Sequence, residues 1–124
     1  MAAFTDQNEL REAVKIYTGT DDSAKQELIS RYGEISEWDV ANVTDMYGIF
    51  QDCQNFNSDL SKWNVANVTD MYGMFWGCMN FNSDLSKWDV SNVTNMYGMF
   101  YNCPNFNSDI SNWDVANVAN TSNT

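Results

Sequence analysis

The segment 67–91, which reads NVTDMYGMFWGCMNFNSDLSKWDVS, is copied almost letter for letter on both sides of itself at a period of 25 residues. A fixed period of roughly 20 to 50 residues is typical of arrays in which one repeat cannot bury its apolar face alone. Neighbouring repeats must therefore stack, and we expect identical residues to form ladders about 4.8 Å apart. The ladders are Trp38, Trp63, Trp88 and Trp113; Phe56, Phe81 and Phe106; Met46, Met71 and Met96; and Cys53, Cys78 and Cys103.

Within one repeat, an apolar stripe at positions i, i+3, i+7 and i+10 is typical of a short helix. The stripe consists of Val68, Met71, Phe75 and Cys78. Thr69 is a candidate N-cap, with Asn67 as the alternative. The segment 81–85 then predicts a short strand. We therefore expect an α/β fold, a leucine-rich-repeat-like solenoid of 25-residue rungs, each with a short parallel strand and a short helix.

Glycine recurs inside the predicted helices, where it costs about 1 kcal/mol relative to alanine. The positions are Gly48, Gly73 and Gly98. Because this unfavourable residue recurs at the same place in every repeat, we infer that packing requires glycine there. Close approach of neighbouring helices is one interpretation, and interruption of the helix is the other.

Residues 1–34 do not repeat and predict two helices that cap the first rung. Asp6 followed by Glu9 resembles a capping box, and Gly19 ends the first helix. A second helix is expected from Asp21 or Asp22 to Gly33. The apolar positions at helical spacing are Leu10, Ala13, Val14 and Tyr17, then Ala24, Leu28 and Tyr32. The predicted organisation is a cap over 1–34, repeats over 35–118 and a flexible tail over 119–124.

The repeats resemble a known family. The units WNVANVTDMYGMFWGCMNFNSDLS and WDVSNVTNMYGMFYNCPNFNSDIS are similar to the BspA-like bacterial surface protein repeat of about 25 residues, over roughly 35–118. The resemblance implies a leucine-rich-repeat-like, non-catalytic protein that serves surface attachment or protein–protein contact. The family has no general catalytic residues to carry over to this sequence.

Composition excludes several classes of function. The chain has 17 acidic and 6 basic residues and a net charge of −11, which disfavours nucleic acid as a partner. No apolar run is long enough for membrane insertion. The N-terminus lacks the features of a secretory signal. We therefore expect a cytoplasmic protein if this is the full native chain, and a cell-surface protein if a leader was removed.

No catalytic, cofactor-binding or metal-binding residue is predicted. The chain has no histidine, and its evenly spaced cysteines are typical of small buried hydrophobes rather than of zinc ligands or disulfides. The row Asp59, Asp84 and Asp109 favours turn hydrogen bonding over a calcium row. Every acidic residue after Glu37 is Asp, which suits turns and caps. The Asn-x-Thr sites, such as 67–69, favour helix capping over glycosylation.

These observations predict a non-enzymatic protein with a structural or self-assembly role. The sequence shows a capping segment at the N-terminal side, and solenoids normally need such a unit at each end. We therefore expect head-to-tail stacking of residues 105–124 of one copy against residues 1–40 of the next. The alternative is a protein-binding or adhesion module of the surface-protein type. The expected partners are thus other copies of the chain or another protein.

Overall fold

Two helices precede the repeats, as predicted. The computed structural model describes residues 1–119, so the predicted tail lies outside the described residues except for Ala119. Helix α1 spans Gln7–Tyr17 and helix α2 spans Asp22–Tyr32. The side chains of Asp6 and Asp21 accept hydrogen bonds from amides in the first turn of each helix, and Gly33 ends α2 at a φ of 85°. A short 3-10 helix, Ile35–Glu37, leads into the repeats.

The predicted α/β solenoid of the leucine-rich-repeat type is wrong. Residues 38–119 contain no helix and no strand; the chain instead makes a succession of tight turns. The turns are closed by hydrogen bonds from an amide to the carbonyl oxygen three residues earlier. In the segment 67–91 these run from Met74 to Met71, Cys78 to Phe75, Phe81 to Cys78 and Trp88 to Leu85. The structure is therefore a small domain with two helices followed by a region built of turns.

Two positions in each repeat explain why no helix forms. The first position holds Gly48, Gly73 and Gly98, with φ values of 56°, 57° and 64°. A right-handed helix cannot contain residues with such φ values. The second position holds Asp52, Gly77 and Asn102, with φ values of 62°, 77° and 58°. Each lies third in a four-residue turn, where glycine, Asn and Asp tolerate positive φ. The glycines therefore serve turn geometry, and the close approach of neighbouring helices, one of the two interpretations of these glycines, does not occur.

Successive repeats lie against one another and are joined by backbone hydrogen bonds. The amides of Gly73, Phe75 and Gly77 donate to carbonyl oxygens in the following repeat, at 2.8 to 2.9 Å. On a neighbouring segment, Thr69 donates to the carbonyl of Thr44 and Thr94 to that of Thr69. Only isolated parallel bridges result within the described residues, because turns interrupt the pairing before strands can extend. The predicted parallel sheet is therefore absent from residues 1–119.

The apolar core runs without a break from the helices to the last repeat. Leu10, Val14 and Leu28 of the helices belong to the same cluster as the apolar residues of the repeats. The predicted ladders lie here, with Phe81 stacked between Phe56 and Phe106 at 5.9 Å. Stacked contacts also join Trp38 to Trp63 and Trp88 to Trp113, at 6.3 and 6.5 Å. Met46, Met71 and Met96 are also buried in this core.

Candidate functional site

The last described repeat leaves uncovered the apolar positions that earlier repeats bury. We call Phe106, Ile110, Val115 and Val118 the end face. Val65 and Val90 are 1% exposed, whereas Val115, at the same repeat position, is 43% exposed. The other three residues are half-buried, while their counterparts in the two preceding repeats are buried. The end face is therefore the surface on which a further layer of protein would complete the core.

Three backbone amides of the last repeat also lack a partner within the described part of the chain. In the two earlier repeats, the amides at the equivalent positions donate to the next repeat along the chain. The amides of Gly98, Phe100 and Asn102, which we call the edge amides, have no hydrogen-bond partner among residues 1–119. Three donors at alternate positions match the spacing at which an added extended segment would present its carbonyl groups.

The opposite end of the repeats is covered by the N-terminal residues. The amide of Phe4 donates to the carbonyl of Asp39, and the guanidinium of Arg11 donates to the carbonyl of Tyr47 at 2.6 Å. Arg11 thus occupies the carbonyl that an amide of a preceding repeat would take. A groove lies between α1 and α2. It is lined by Ala13, Ile16, Ala24 and Leu28 together with charged side chains, which are Glu9, Glu12, Glu27 and Arg31.

A row of aromatic side chains lies on the surface of the repeats, and the sequence reasoning missed it. Tyr72 stacks between Tyr47 and Tyr97, with ring centroids 4.8 and 5.3 Å apart. Trp76 adjoins this row and contacts Tyr97 and Tyr101 at 6.4 and 4.6 Å. We call these five residues the aromatic face. The recurring Met-Tyr-Gly sequence was the available signal, because tyrosine beside a buried methionine at this period must form an outward row.

The three cysteines are free thiols that line up along the repeats, and the predicted burial holds for two of them. Cys78 and Cys103 are buried and Cys53 is half-buried. The Sγ atom of Cys78 donates to the carbonyl of Phe50 at 2.9 Å, and that of Cys103 to the carbonyl of Phe75 at 2.7 Å. Burial raises the pKa of all three thiols, and the pKa of Cys78 is raised strongly. These thiols are suited to holding backbone carbonyls rather than to acting as nucleophiles.

The Asp row makes turns, as the sequence favoured. The carboxylates of Asp59, Asp84 and Asp109 accept hydrogen bonds from amides two residues ahead, at 2.9 to 3.0 Å. These backbone hydrogen bonds lower the pKa of each carboxyl group. Among residues 1–119, no group of three or more Cys, Asp or Glu side chains is placed to hold a metal ion.

The prediction that Thr69 or Asn67 caps a helix is wrong, because both side chains donate to carbonyl groups of the preceding repeat. The Asn67 side chain donates to the carbonyl of Ala41 at 2.8 Å, and the Thr69 hydroxyl donates to that of Thr44 at 3.3 Å. Asparagines of the loops also satisfy backbone groups of the neighbouring repeat. The side-chain oxygens of Asn57 and Asn82 accept from the amides of Asn82 and Asn107. These polar rows therefore join one repeat to the next.

Comparison with known proteins places the chain in a family without assigning it an activity. No helix of the described part of the chain is long and apolar enough to cross a membrane. No curated protein and no solved structure matches the chain, and the resemblance to BspA-like repeats stays a prediction. A family described as Mycoplasma protein of unknown function, DUF285, matches residues 22–124. The match spans most of the sequence and includes all of the repeats, so the chain belongs to the DUF285 family.

Proposed function

We propose that this chain is a non-catalytic protein that associates with itself head to tail, the end face of one copy lying against residues 1–40 of the next. The observation that carries the proposal is the exposure of Val115 at a position that the repeats otherwise bury. A non-catalytic role is supported by the absence of histidine from the sequence and by thiols that donate to backbone carbonyls.

The end face has enough apolar surface to favour association. Burying one aliphatic side chain fully is worth about 1.5–3 kcal/mol. Val115 is 43% exposed, and the three half-buried residues beside it add to the area that a partner would cover. The edge amides lie in the same last repeat, and residues 1–5 of the next copy, which precede α1 outside any helix, would supply the acceptors that give the contact its direction. Apolar area and directional hydrogen bonds together define a specific interface.

The groove between α1 and α2 is the surface of residues 1–40 that fits this role. The last repeat of one copy cannot stack directly on the first repeat of the next. Arg11 already donates to the Tyr47 carbonyl there, and the helices lie over the first repeat. The groove is lined by small and aliphatic side chains, including Ala13, Ala24 and Leu28. It can take branched aliphatic side chains such as those of Val115 and Ile110.

The interface joins two different surfaces, so it is heterologous and adds copies in one direction unless the rotation closes a ring. Each copy carries a net charge of −11, and like charge opposes assembly. Added salt screens this repulsion over a distance of about 10 Å at 0.1 M. Association is therefore expected to become stronger, not weaker, as salt is raised.

Light scattering across a concentration series tests the proposal with two matched variants. Val115 and Met79 are each 43% exposed, but only Val115 belongs to the end face. Val115→Asp is expected to abolish the growth of large species, whereas Met79→Asp leaves it unchanged. A strictly monomeric wild-type chain at high concentration contradicts the proposal, as does equal loss of association in both variants.

A protein-binding role without self-association is the second candidate, and the aromatic face favours it. Exposed aromatic side chains that lie side by side are typical of interaction surfaces. Tyr47 and Tyr101 are 46% and 40% exposed, and neither contributes to the core. A monomeric chain that captures a partner through this face would place the second candidate ahead of the first.

A further inference from the structure

The Trp76 ring packs against a glycine on the aromatic face. A Cβ atom added at Gly98 would lie 2.6 Å from two ring carbons of Trp76, so the indole rests directly on that glycine. Tyr97 and Tyr101 flank the ring at 6.4 and 4.6 Å. Trp76 is half-buried, whereas the other four tryptophans are buried. The ring is therefore fixed on one side and open to solvent on the other.

The surroundings of this ring are acidic. The carboxylate of Asp52 lies against Gly77, the residue after Trp76, in a space that a Cβ at that position would fill. The three stretches that carry the aromatic face, 45–52, 70–77 and 95–102, contain Asp45, Asp52 and Asp70 and no Lys or Arg. With a net charge of −11 on the whole chain, the potential here attracts cations.

We propose that the aromatic face binds a basic peptide segment, with a Lys or Arg side chain over the Trp76 indole and its charge near the Asp52 carboxylate. Tryptophan is the best acceptor of cation–π contacts. The chain makes such contacts internally, with the Lys25 Nζ atom 4.6 Å from the Tyr17 ring centroid and the Arg31 Cζ atom 5.1 Å from that of Tyr32. This surface is separate from the end face, so the proposal does not depend on self-association.

A basic side chain already lies at one end of the tyrosine row, where the guanidinium of Arg11 donates to the main-chain carbonyl of Tyr47 at 2.6 Å. Extended basic peptides offer cationic side chains on alternate residues together with backbone groups. Such a peptide can place one cation over Trp76 and others beside Asp45 or Asp70.

Binding is measured with a fluorescently labelled oligoarginine peptide by anisotropy, at low salt and at physiological salt. Trp76→Leu is expected to weaken binding about tenfold, which is the effect of losing one partly desolvated cation–π contact. In the wild-type protein, unlabelled peptide should also change the tryptophan fluorescence. Trp76 is the accessible indole, so this change reports on the site itself.

Two pairs of variants separate a built site from diffuse attraction. Gly98→Ala and Gly73→Ala both place alanine at positive φ, but only the first displaces the Trp76 ring, which lies 3.7 Å from a Cβ at Gly73. Asp52→Asn and Asp109→Asn remove the same charge from different surfaces. We expect Gly98→Ala to weaken binding more than Gly73→Ala does, and Asp52→Asn to weaken it more than Asp109→Asn does. Equal affinity within each pair, or unchanged binding by Trp76→Leu, overturns the proposal.

Discussion

The indole nitrogen of Trp88 donates a hydrogen bond at 2.9 Å to the carbonyl oxygen of Leu60, which lies in the preceding repeat. The same carbonyl accepts the amide of Trp63 at 3.1 Å, so one oxygen closes a turn and also ties two repeats together. The pattern recurs one repeat earlier, between Trp63 and Ile35, and one repeat later, between Trp113 and Leu85. The tryptophan row therefore stabilises the stacking of repeats through directional bonds as well as through burial.

Replacing Trp88 with Phe tests that role. We expect the free energy of unfolding to fall by about 2 kcal/mol, of which about 1 kcal/mol is the lost hydrogen bond and the rest the unfilled volume. Urea denaturation followed by circular dichroism measures the change. Trp76→Phe is the control, because this half-buried ring is expected to change stability by less than about 0.5 kcal/mol. Equal effects of the two substitutions would contradict the assigned role.

The buried thiols predict sensitivity to alkaline pH. Burial raises the pKa of Cys53, Cys78 and Cys103 above the ordinary value of 9.0. In the unfolded chain the thiols ionise near that value, whereas in the folded chain they stay protonated. Their contribution is therefore complete below pH 9.0 and declines as the pH rises above it. The urea midpoint is expected to fall between about pH 8 and about pH 10.

A double variant, Cys78→Ser with Cys103→Ser, serves as the control for that measurement. Serine keeps a donor for the carbonyls of Phe50 and Phe75 but does not titrate in this range. The midpoint of the variant should depend less on pH than that of the wild-type chain. Identical slopes would show that other groups, such as Tyr17 and Tyr32, cause the alkaline loss.

The turn position shared by Asp52, Gly77 and Asn102 predicts opposite effects of two small substitutions. Asn102 has a φ of 58°, which asparagine tolerates and alanine does not. Asn102→Ala is expected to destabilise the chain by about 1 kcal/mol, and Asn102→Gly to be neutral or stabilising. Thermal unfolding of the two variants distinguishes these outcomes. A lower melting temperature for the glycine variant than for the alanine variant would be inconsistent with this backbone geometry.

The sequence was sufficient for the period, the two N-terminal helices and the stacking of the Phe row. The path of the chain within a repeat was predicted wrongly, because the spacing of Val68, Met71, Phe75 and Cys78 fits a helix and also fits successive turns. The distinguishing signal was the pair of positions that accept positive φ, since Gly73 and Gly77 lie only four residues apart. The aromatic face was missed because tyrosine was considered only as core.

Amide hydrogen exchange at low and high protein concentration tests the central claim of end-face association most directly. Gly73, Phe75 and Gly77 donate to the next repeat, whereas the edge amides at Gly98, Phe100 and Asn102 have no partner in residues 1–119. In dilute solution the edge amides are expected to exchange faster than their interior counterparts, and to become protected as concentration rises. Protection of the edge amides that equals that of the interior amides, or that does not change with concentration, would contradict the account.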